Sequence, residues 1–477
     1  MSLKAFFATI AIALAPVALS AQDAGTATDR PNVVLIFVDD MAYGDVSAYG
    51  LDSWVETPAI DALAASGMRF TDGYAASAVC GPSRVGLLTG VYPARLGVWW
   101  NPDTTRAPMP DSQPLMPQFF RSRDYDTAVF GKWNLVNDPS AVSDTVVGPM
   151  TWGGVYHPRE DGAYEGVGFG FGAGGHPSGH WVGDDVEGEY LTDWLTRAAV
   201  QYIDGHRGND PFFMYLAYNA PHSPIEAAAR HREAVAHLPT EPQRVYAAMV
   251  LAVDDGVAAV REALQRRGIA EDTLILFISD NGPAKAGFRG YPDDWPEMDM
   301  LGVTGPLSGQ KGELREGGIR VPFIASWPAR IAAGSVNSTP VTTVDLYRTF
   351  EDMLGASEPY GELADGTSLM PLLTGAEPTL PSRDIYWQKR ICNARGCRNS
   401  AAVRHRDYKL LIEDDGPPQF FNLAEDVGET TDIQAQHANR FRNMSERYAA
   451  WLSSLPTPAS EAKTNNRERN RAQESGQ

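Results

Sequence analysis

The chain is poor in cysteine, poor in positive charge, and without a long apolar run once its first twenty residues are passed. Three cysteines in 477 residues permit one disulfide and leave one thiol over. Forty Lys+Arg against 60 Asp+Glu give a formal net charge of −20, which argues against broad electrostatic binding to nucleic acid or to an anionic membrane surface. An anionic ligand would have to meet a local basic pocket. A membrane span needs ~20 consecutive apolar residues, and no segment beyond residue 20 supplies them. No internal repeat is visible.

What is present is the material for a large core: 43% hydrophobic and 21% charged residues, in a chain long enough for one big and one smaller domain. Residues 1–20 carry a single early Lys4, an apolar stretch over 5–19 and the small-residue pattern Ala18-Leu19-Ser20, the form of a signal peptide; a buried N-terminal helix is the alternative. Residues 21–30 are small and polar, as a mature N-terminal extension would be, so the expected location is periplasmic or secreted. Thiols tend to pair there. Cys392 and Cys397, close together around Gly396, read as a local disulfide, and Cys80 is left as either an inert buried thiol or a processed, reactive residue.

Residues 32–38 (NVVLIFV) form a continuous apolar run suited to a strand buried on both faces, ending at Asp39-Asp40. Thr57-Pro58 offers an N-cap and first-turn proline for a helix that Gly67 closes. Strand-like segments recur at 126–130, 212–218, 273–278 and 321–327, with helical segments at 190–203, 243–266 and 344–354. The pattern predicts an α/β domain over 31–370, a large mainly parallel sheet flanked by helices. Over 371–456 the strand candidates 384–387, 401–412 and 419–423, followed by a helix at 433–455, predict a smaller C-terminal α+β subdomain on an antiparallel sheet. Residues 457–477 are polar and aperiodic, as a disordered tail is. The Gly-rich stretch 153–185, with His176, His180 and Trp181, reads as an active-site wall or as a flexible surface loop.

In an open parallel sheet, ligands gather beyond the carboxyl ends of the strands, so residues just past each strand converge. That rule selects Asp39, Asp40, Lys132, His222, Asp280 and Asn281. Three carboxylates and an amide oxygen form a hard oxygen cage suited to Ca2+ or Mg2+, with Ca2+ the natural occupant, whereas zinc would call for more histidine or cysteine. Singly, each residue has an ordinary reading: acidic residues cap helices at strand ends, lysines are solvated, and a histidine between prolines can be a satisfied turn residue. Together with Lys132, His222 and Lys311, a cation would make a positive pocket fit for a tetrahedral oxyanion.

The run Cys80-Gly81-Pro82-Ser83-Arg84, continuing Val85-Gly86-Leu87-Leu88-Thr89-Gly90, resembles the C-x-P-S-R-x-x-L-L-T-G signature of the type I, formylglycine-dependent sulfatases, a family of the alkaline-phosphatase-like superfamily. Pro82 suits a helix's first turn, which would set residue 80 beside a helix N-terminus where negative charge is favoured. The resemblance implies that Cys80 is oxidised to formylglycine by a formylglycine-generating maturation enzyme, and that its hydrated gem-diol attacks sulfur and later expels sulfate. It implies Asp39, Asp40, Asp280, Asn281 and residue 80 as Ca2+ ligands, and Arg84 as the group orienting the formylglycine. Gly131-Lys132-Trp133, Pro221-His222-Ser223-Pro224 and Gly309-Gln310-Lys311-Gly312 with Glu316-Gly317-Gly318-Ile319-Arg320-Val321-Pro322 resemble further family segments. These imply Lys132, His222 and Lys311 as catalytic and sulfate-binding, with His222 the general acid.

One position departs from the family pattern. Where the family commonly reads G-K-W-H-L, with a histidine that assists release of sulfate, this chain has Asn134, which cannot shuttle a proton near neutral pH. Water or another histidine then takes over, or turnover is slow; His157, His176 and His180 are the possible substitutes. Trp99 and Trp100 read equally as core packing or as faces for a sugar ring. The expected partner is a sulfated small molecule or oligosaccharide, held by His176, His180, Trp99 and Trp100 at the rim. The competing readings are a phosphatase or phosphonate ester hydrolase of the same superfamily, and a low-turnover binder of sulfated glycans.

Overall fold

The computed structural model describes residues 30–101, 109, 112–135, 139–150, 155–158, 164–167, 190–208, 210–223, 225–285, 301–356, 359–393 and 396–456. The signal-peptide and tail readings, and those for His176 and His180, fall outside the described residues; so does Pro224.

Eight strands form the main sheet: β1 (Asn32–Val38), β2 (Met68–Phe70), β3 (Asp126–Lys132), β4 (Thr145–Met150), β5 (Phe212–Ala217), β6 (Thr273–Ser279), β7 (Phe323–Ser326) and β8 (Ser335–Asn337). Their order across the sheet is β8-β2-β7-β6-β1-β5-β3-β4. The five neighbouring pairs that exclude β7, namely β1–β5, β1–β6, β3–β5, β3–β4 and β2–β8, are all parallel, while β7 runs antiparallel to both β6 and β2. The apolar run at 321–327 is therefore a strand, but one of opposite direction to the rest of the sheet.

The unbroken hydrophobicity of β1 has a direct cause. Val34, Ile36 and Val38 point to one face, against Leu195, Ala199, Val253 and Val257 of the helices α3 (Leu191–Gly205) and α4 (Glu241–Arg266). Val33, Leu35 and Phe37 point to the other, against Val85, Leu88, Phe119 and Phe350. All six strand residues are fully buried, and each contributes ~2 kcal/mol of apolar transfer free energy. Helix α1 (Pro58–Ala65) packs on α4, and helix α2 (Cys80–Thr89) carries Cys80 and Arg84. Among the described residues no helix is long and apolar enough to cross a membrane.

The C-terminal sheet is a four-stranded antiparallel meander, β9 (Asp384–Asn393), β10 (Gly396–His405), β11 (Tyr408–Ile412) and β12 (Gln419–Asn422), followed by helix α5 (Ala438–Ser453). The single strand expected over 401–412 is two, because Arg406 takes a left-handed backbone (φ 54°) and turns the chain. Cys392 and Cys397 are cross-strand partners near the β9–β10 tip and are disulfide-bonded. This sheet binds the main domain through buried polar contacts as well as apolar ones. Trp387 Nε1 donates to the Ala75 carbonyl at 2.8 Å, and Lys409 lies fully buried between Glu316 (2.9 Å) and Glu429 (2.8 Å).

A candidate active site at the carboxyl ends of the strands

Because β1 and β6 are parallel neighbours with Val38 opposite Ser279, the pairs Asp39-Asp40 and Asp280-Asn281 leave the sheet side by side. Asp40 adopts φ 65°, a region that aspartate tolerates better than most side chains. Its N–H donates to Asp280 Oδ1 at 3.2 Å, and Asn281 Nδ2 donates to Asp40 Oδ1 at 2.6 Å. All four residues are buried. Strand β3 delivers Lys132 to the same edge, and β5 leads into the loop bearing His222. Cys80 opens α2, with Val79 extended as its N-cap, and the Gly81 N–H of that first turn donates to Asn101 Oδ1 at 2.9 Å.

Charges alternate through the cluster. Arg84, fully buried, donates from Nη2 to Asp280 Oδ2 at 2.9 Å and from Nη1 to the Lys132 carbonyl and the Tyr215 hydroxyl, both at 3.0 Å. Its guanidinium also stacks 5.2 Å from the Phe37 ring centroid. Lys132 Nζ donates to Asp39 Oδ2, while Lys311 Nζ reaches both oxygens of Asp40 at 2.7 Å. His222 sets Nε2 3.8 Å from Asp40 Oδ2. Its Nδ1 faces the Ser223 carbonyl, so Nδ1 carries the proton and Nε2 is the nitrogen turned to the cluster.

Protonation follows from burial set against these neighbours. Burial would raise the Asp39 carboxyl, but Lys132, His222, Arg84 and Lys311 together hold it far below the usual carboxylate range. Burial and the Asp39 charge push Asp280 up to about 7. Burial lowers His222 to about 4, with Lys311 reinforcing it, so the ring is neutral at neutral pH. The Cys80 thiol is pushed up to about 11 by burial. An unmodified Cys80 is thus a thiol, not a thiolate, and a poor nucleophile.

The donor set fits a hard cation. Asp39 Oδ1 and Asn281 Oδ1 are buried oxygens without a hydrogen-bond partner, an arrangement that costs free energy unless something electropositive meets them. Ligand atoms of Asp39, Asp40, Cys80 and His222 all lie within 4.8 Å of one another. His222 thus stands within this group although the sequence points to it as a sulfate contact. Asp280 stands beside this group, accepting from the Asp40 amide and from Arg84.

The structure brings together Asp39, Asp40, Cys80, Arg84, Lys132, His222, Asp280, Asn281 and Lys311 from separate segments of the chain. It separates the two tryptophans. Trp99 is buried at 7% exposure, whereas Trp100 is partly exposed and lies over the backbone beside Lys311, 3.6 Å from where a Gly312 Cβ would stand. Asn134 is buried, with φ 57°. Sequence reasoning missed Tyr215, Phe37 and Asn101, whose residue types carry no signal for supporting an arginine or a helix end. It also missed Asp45, which accepts from the Ala42 and Val303 amides (each 2.8 Å) and from Tyr246 Oη (2.5 Å), and so anchors the Asp39-Asp40 loop.

The family described as Sulfatase matches residues 31–356, which hold every residue of this cluster. The chain belongs to the sulfatase family. It is accordingly a sulfuric ester hydrolase. A second match, N-sulphoglucosamine sulphohydrolase, C-terminal, covers residues 310–451 of this sulfatase. Its sequence is 32% identical over 404 residues to N-acetylgalactosamine-6-sulfatase of Mus musculus, spanning 77% of this chain and 70% of that one. It is 30% identical over 442 residues to arylsulfatase A of Homo sapiens, spanning 88% and 81%. The crystal structure of Ps i-CgsB in complex with k-i-k-neocarrahexaose is similar at a TM-score of 0.75 and 29% identity, over 90% of this sulfatase and 94% of that chain.

Proposed function

We propose that this sulfatase is an exported, calcium-dependent enzyme that removes sulfate from carbohydrates, using residue 80 as formylglycine. The observation that carries the reading is Cys80 at the first turn of α2, buried among Asp39, Asp40, Lys132 and Lys311, with unpartnered oxygens of Asp39 and Asn281 beside it. Asp39, Asp40, Asp280, Asn281 and residue 80 would hold Ca2+, which would supply positive charge against the sulfate oxygens and lower the pKa of a bound hydroxyl. Oxidised by a maturation enzyme, residue 80 would offer as its hydrate one hydroxyl to attack sulfur and another to release sulfate.

The chain's own side chains do the rest. Lys132 and Lys311 bring two ammonium groups to the carboxylates of Asp39 and Asp40 and would bind the sulfate oxygens. Arg84, held by Asp280, the Lys132 carbonyl, Tyr215 and Phe37, would orient residue 80. His222 Nε2 is the group placed to give a proton to the leaving oxygen, and its proton must be acquired in the substrate complex, since burial keeps the free ring neutral. Asn134 supplies hydrogen bonding without proton transfer.

The substrate class rests on the partly exposed Trp100 beside Lys311, a face for a sugar ring, and on relatives named for sulfated sugars. An exo-acting or short-oligosaccharide sulfatase fits these features. The test is sulfate release across defined sulfated saccharides, with 4-nitrophenyl sulfate and 4-nitrophenyl phosphate alongside, after co-expression with a formylglycine-generating enzyme. Turnover of saccharides above aryl sulfate, and of sulfate above phosphate, is expected; activity confined to small aryl or alkyl sulfates would sink the carbohydrate assignment.

A further inference from the structure

Lys389, on β9 of the C-terminal sheet, is a charged residue only 9% exposed that the chemistry above does not use. Its Nζ donates to the Gly312 carbonyl at 2.6 Å. Gly312 follows Lys311, and the backbone of these two residues is held from three directions. The Lys311 N–H donates to the Pro283 carbonyl at 2.8 Å, tying it to the Asp280-Asn281 loop. The Gly312 N–H donates to the Ala78 carbonyl at 2.8 Å, tying it to the approach to residue 80. Lys389 supplies the third tie, from the other domain.

Gly312 needs that tie. It sits at φ 85°, as does Gly309 at 83°, so the loop is built from two residues with the widest backbone freedom. The Lys389 ammonium is itself poorly balanced: among the described residues its ion-pair partner is Asp414, with Oδ1 at 4.0 Å. Burial is the main cause that lowers its pKa. A half-paired cation is thus kept where it meets one backbone carbonyl. Strand β9 positions it through Trp387, two residues earlier on the same face, whose Nε1 grips the Ala75 carbonyl in the segment leading to residue 80.

We propose that Lys389 is a positioning residue of the sulfatase reaction: from the C-terminal sheet it fixes the Gly312 carbonyl and thereby the place of Lys311 in the sulfate pocket. The inference rests on the reading of Lys311 as a sulfate contact. Lys389 touches no substrate; it acts through Lys311 alone.

The experiment is a double-mutant cycle on the matured full-length enzyme, with kcat, KM for 4-nitrophenyl sulfate and the inhibition constant of inorganic sulfate measured for each variant. Lys389→Met is expected to lower kcat/KM about 10- to 100-fold and to weaken inhibition by inorganic sulfate, with the melting temperature little changed. Lys389→Arg, which keeps a donor, should stay within about 3-fold of the parent. In a Lys311→Met background, Lys389→Met should have no further effect, because its route of action is already gone. Additive losses in the double variant, or an unchanged sulfate inhibition constant in Lys389→Met, would overturn the proposal. An unaltered kcat/KM in Lys311→Met alone would instead overturn the assignment of Lys311. Should Lys389→Met not fold, Lys389→Gln takes its place in the cycle with the same criteria.

Discussion

Removing the cation from this site should destabilise the protein in a way that depends on pH. In the cation-free cluster Asp280 is pushed up to about 7, above the ~4 of an unfolded aspartate. A carboxyl raised in this way favours the fold while protonated, and that contribution is lost as pH rises through about 7. Asp39 is shifted the other way and is ionised both folded and unfolded from pH 5.5 to 8, so it adds no pH dependence in that window. At a free Ca2+ concentration about 100-fold above Kd, linkage gives about 2.7 kcal/mol. With ~2.1 cal/mol/K per residue over roughly 330 residues, this is a rise of about 4 °C in melting temperature at pH 8. At pH 5.5 the cation must displace a proton from Asp280, which costs about 2 kcal/mol, so the rise shrinks to about 1 °C. Scanning fluorimetry with Ca2+ and with a chelator, at both pH values, measures this. A shift equal at the two pH values, or larger at pH 5.5, would refute the reasoning.

Lys409→Met removes the one cation shared by buried Glu316 and Glu429, leaving Glu316 with Arg320 and Tyr74 and Glu429 with only the Ser308 hydroxyl and the Glu316 amide, and should cost about 3 kcal/mol in denaturant unfolding. Tyr246→Phe removes one of the three donors on buried Asp45 and should cost about 1–2 kcal/mol by the same measurement. Asn134→His would place a titrating ring after Lys132-Trp133, and the kcat–pH profile should gain a limb near pH 6–7 that the parent lacks; an identical profile would show that position 134 takes no part in proton transfer.

Much of this site was legible in the sequence because the chemistry sits where strand geometry puts it. The apolar run 32–38 is readable as a doubly buried strand, and the residues after it are then bound to reach the carboxyl edge of the sheet, where Asp39 and Asp40 are found beside Asp280. Direction was not legible. Nothing in the pattern of 321–327 distinguishes the antiparallel β7 from a parallel neighbour, since both are buried on two faces. The three-residue strands β2 and β8 are too short to show a period, and the turn at Arg406 escaped because a left-handed arginine has no sequence mark. Supporting residues such as Tyr215 and Asn101 escaped for a related reason: what they hold is set by tertiary contact. So did Lys389, which lies near the disulfide but acts, on our proposal, across a domain boundary.

The central claim concerns residue 80, a buried thiol pushed up to about 11 and ill-suited to act as a thiolate. Trypsin should release it in the peptide spanning residues 70–84, between Arg69 and Arg84. After co-expression with a formylglycine-generating enzyme, mass spectrometry of that peptide should show the aldehyde or its hydrate, in proportion to the sulfatase activity of the preparation. A fully active preparation whose residue 80 is intact cysteine would contradict the account.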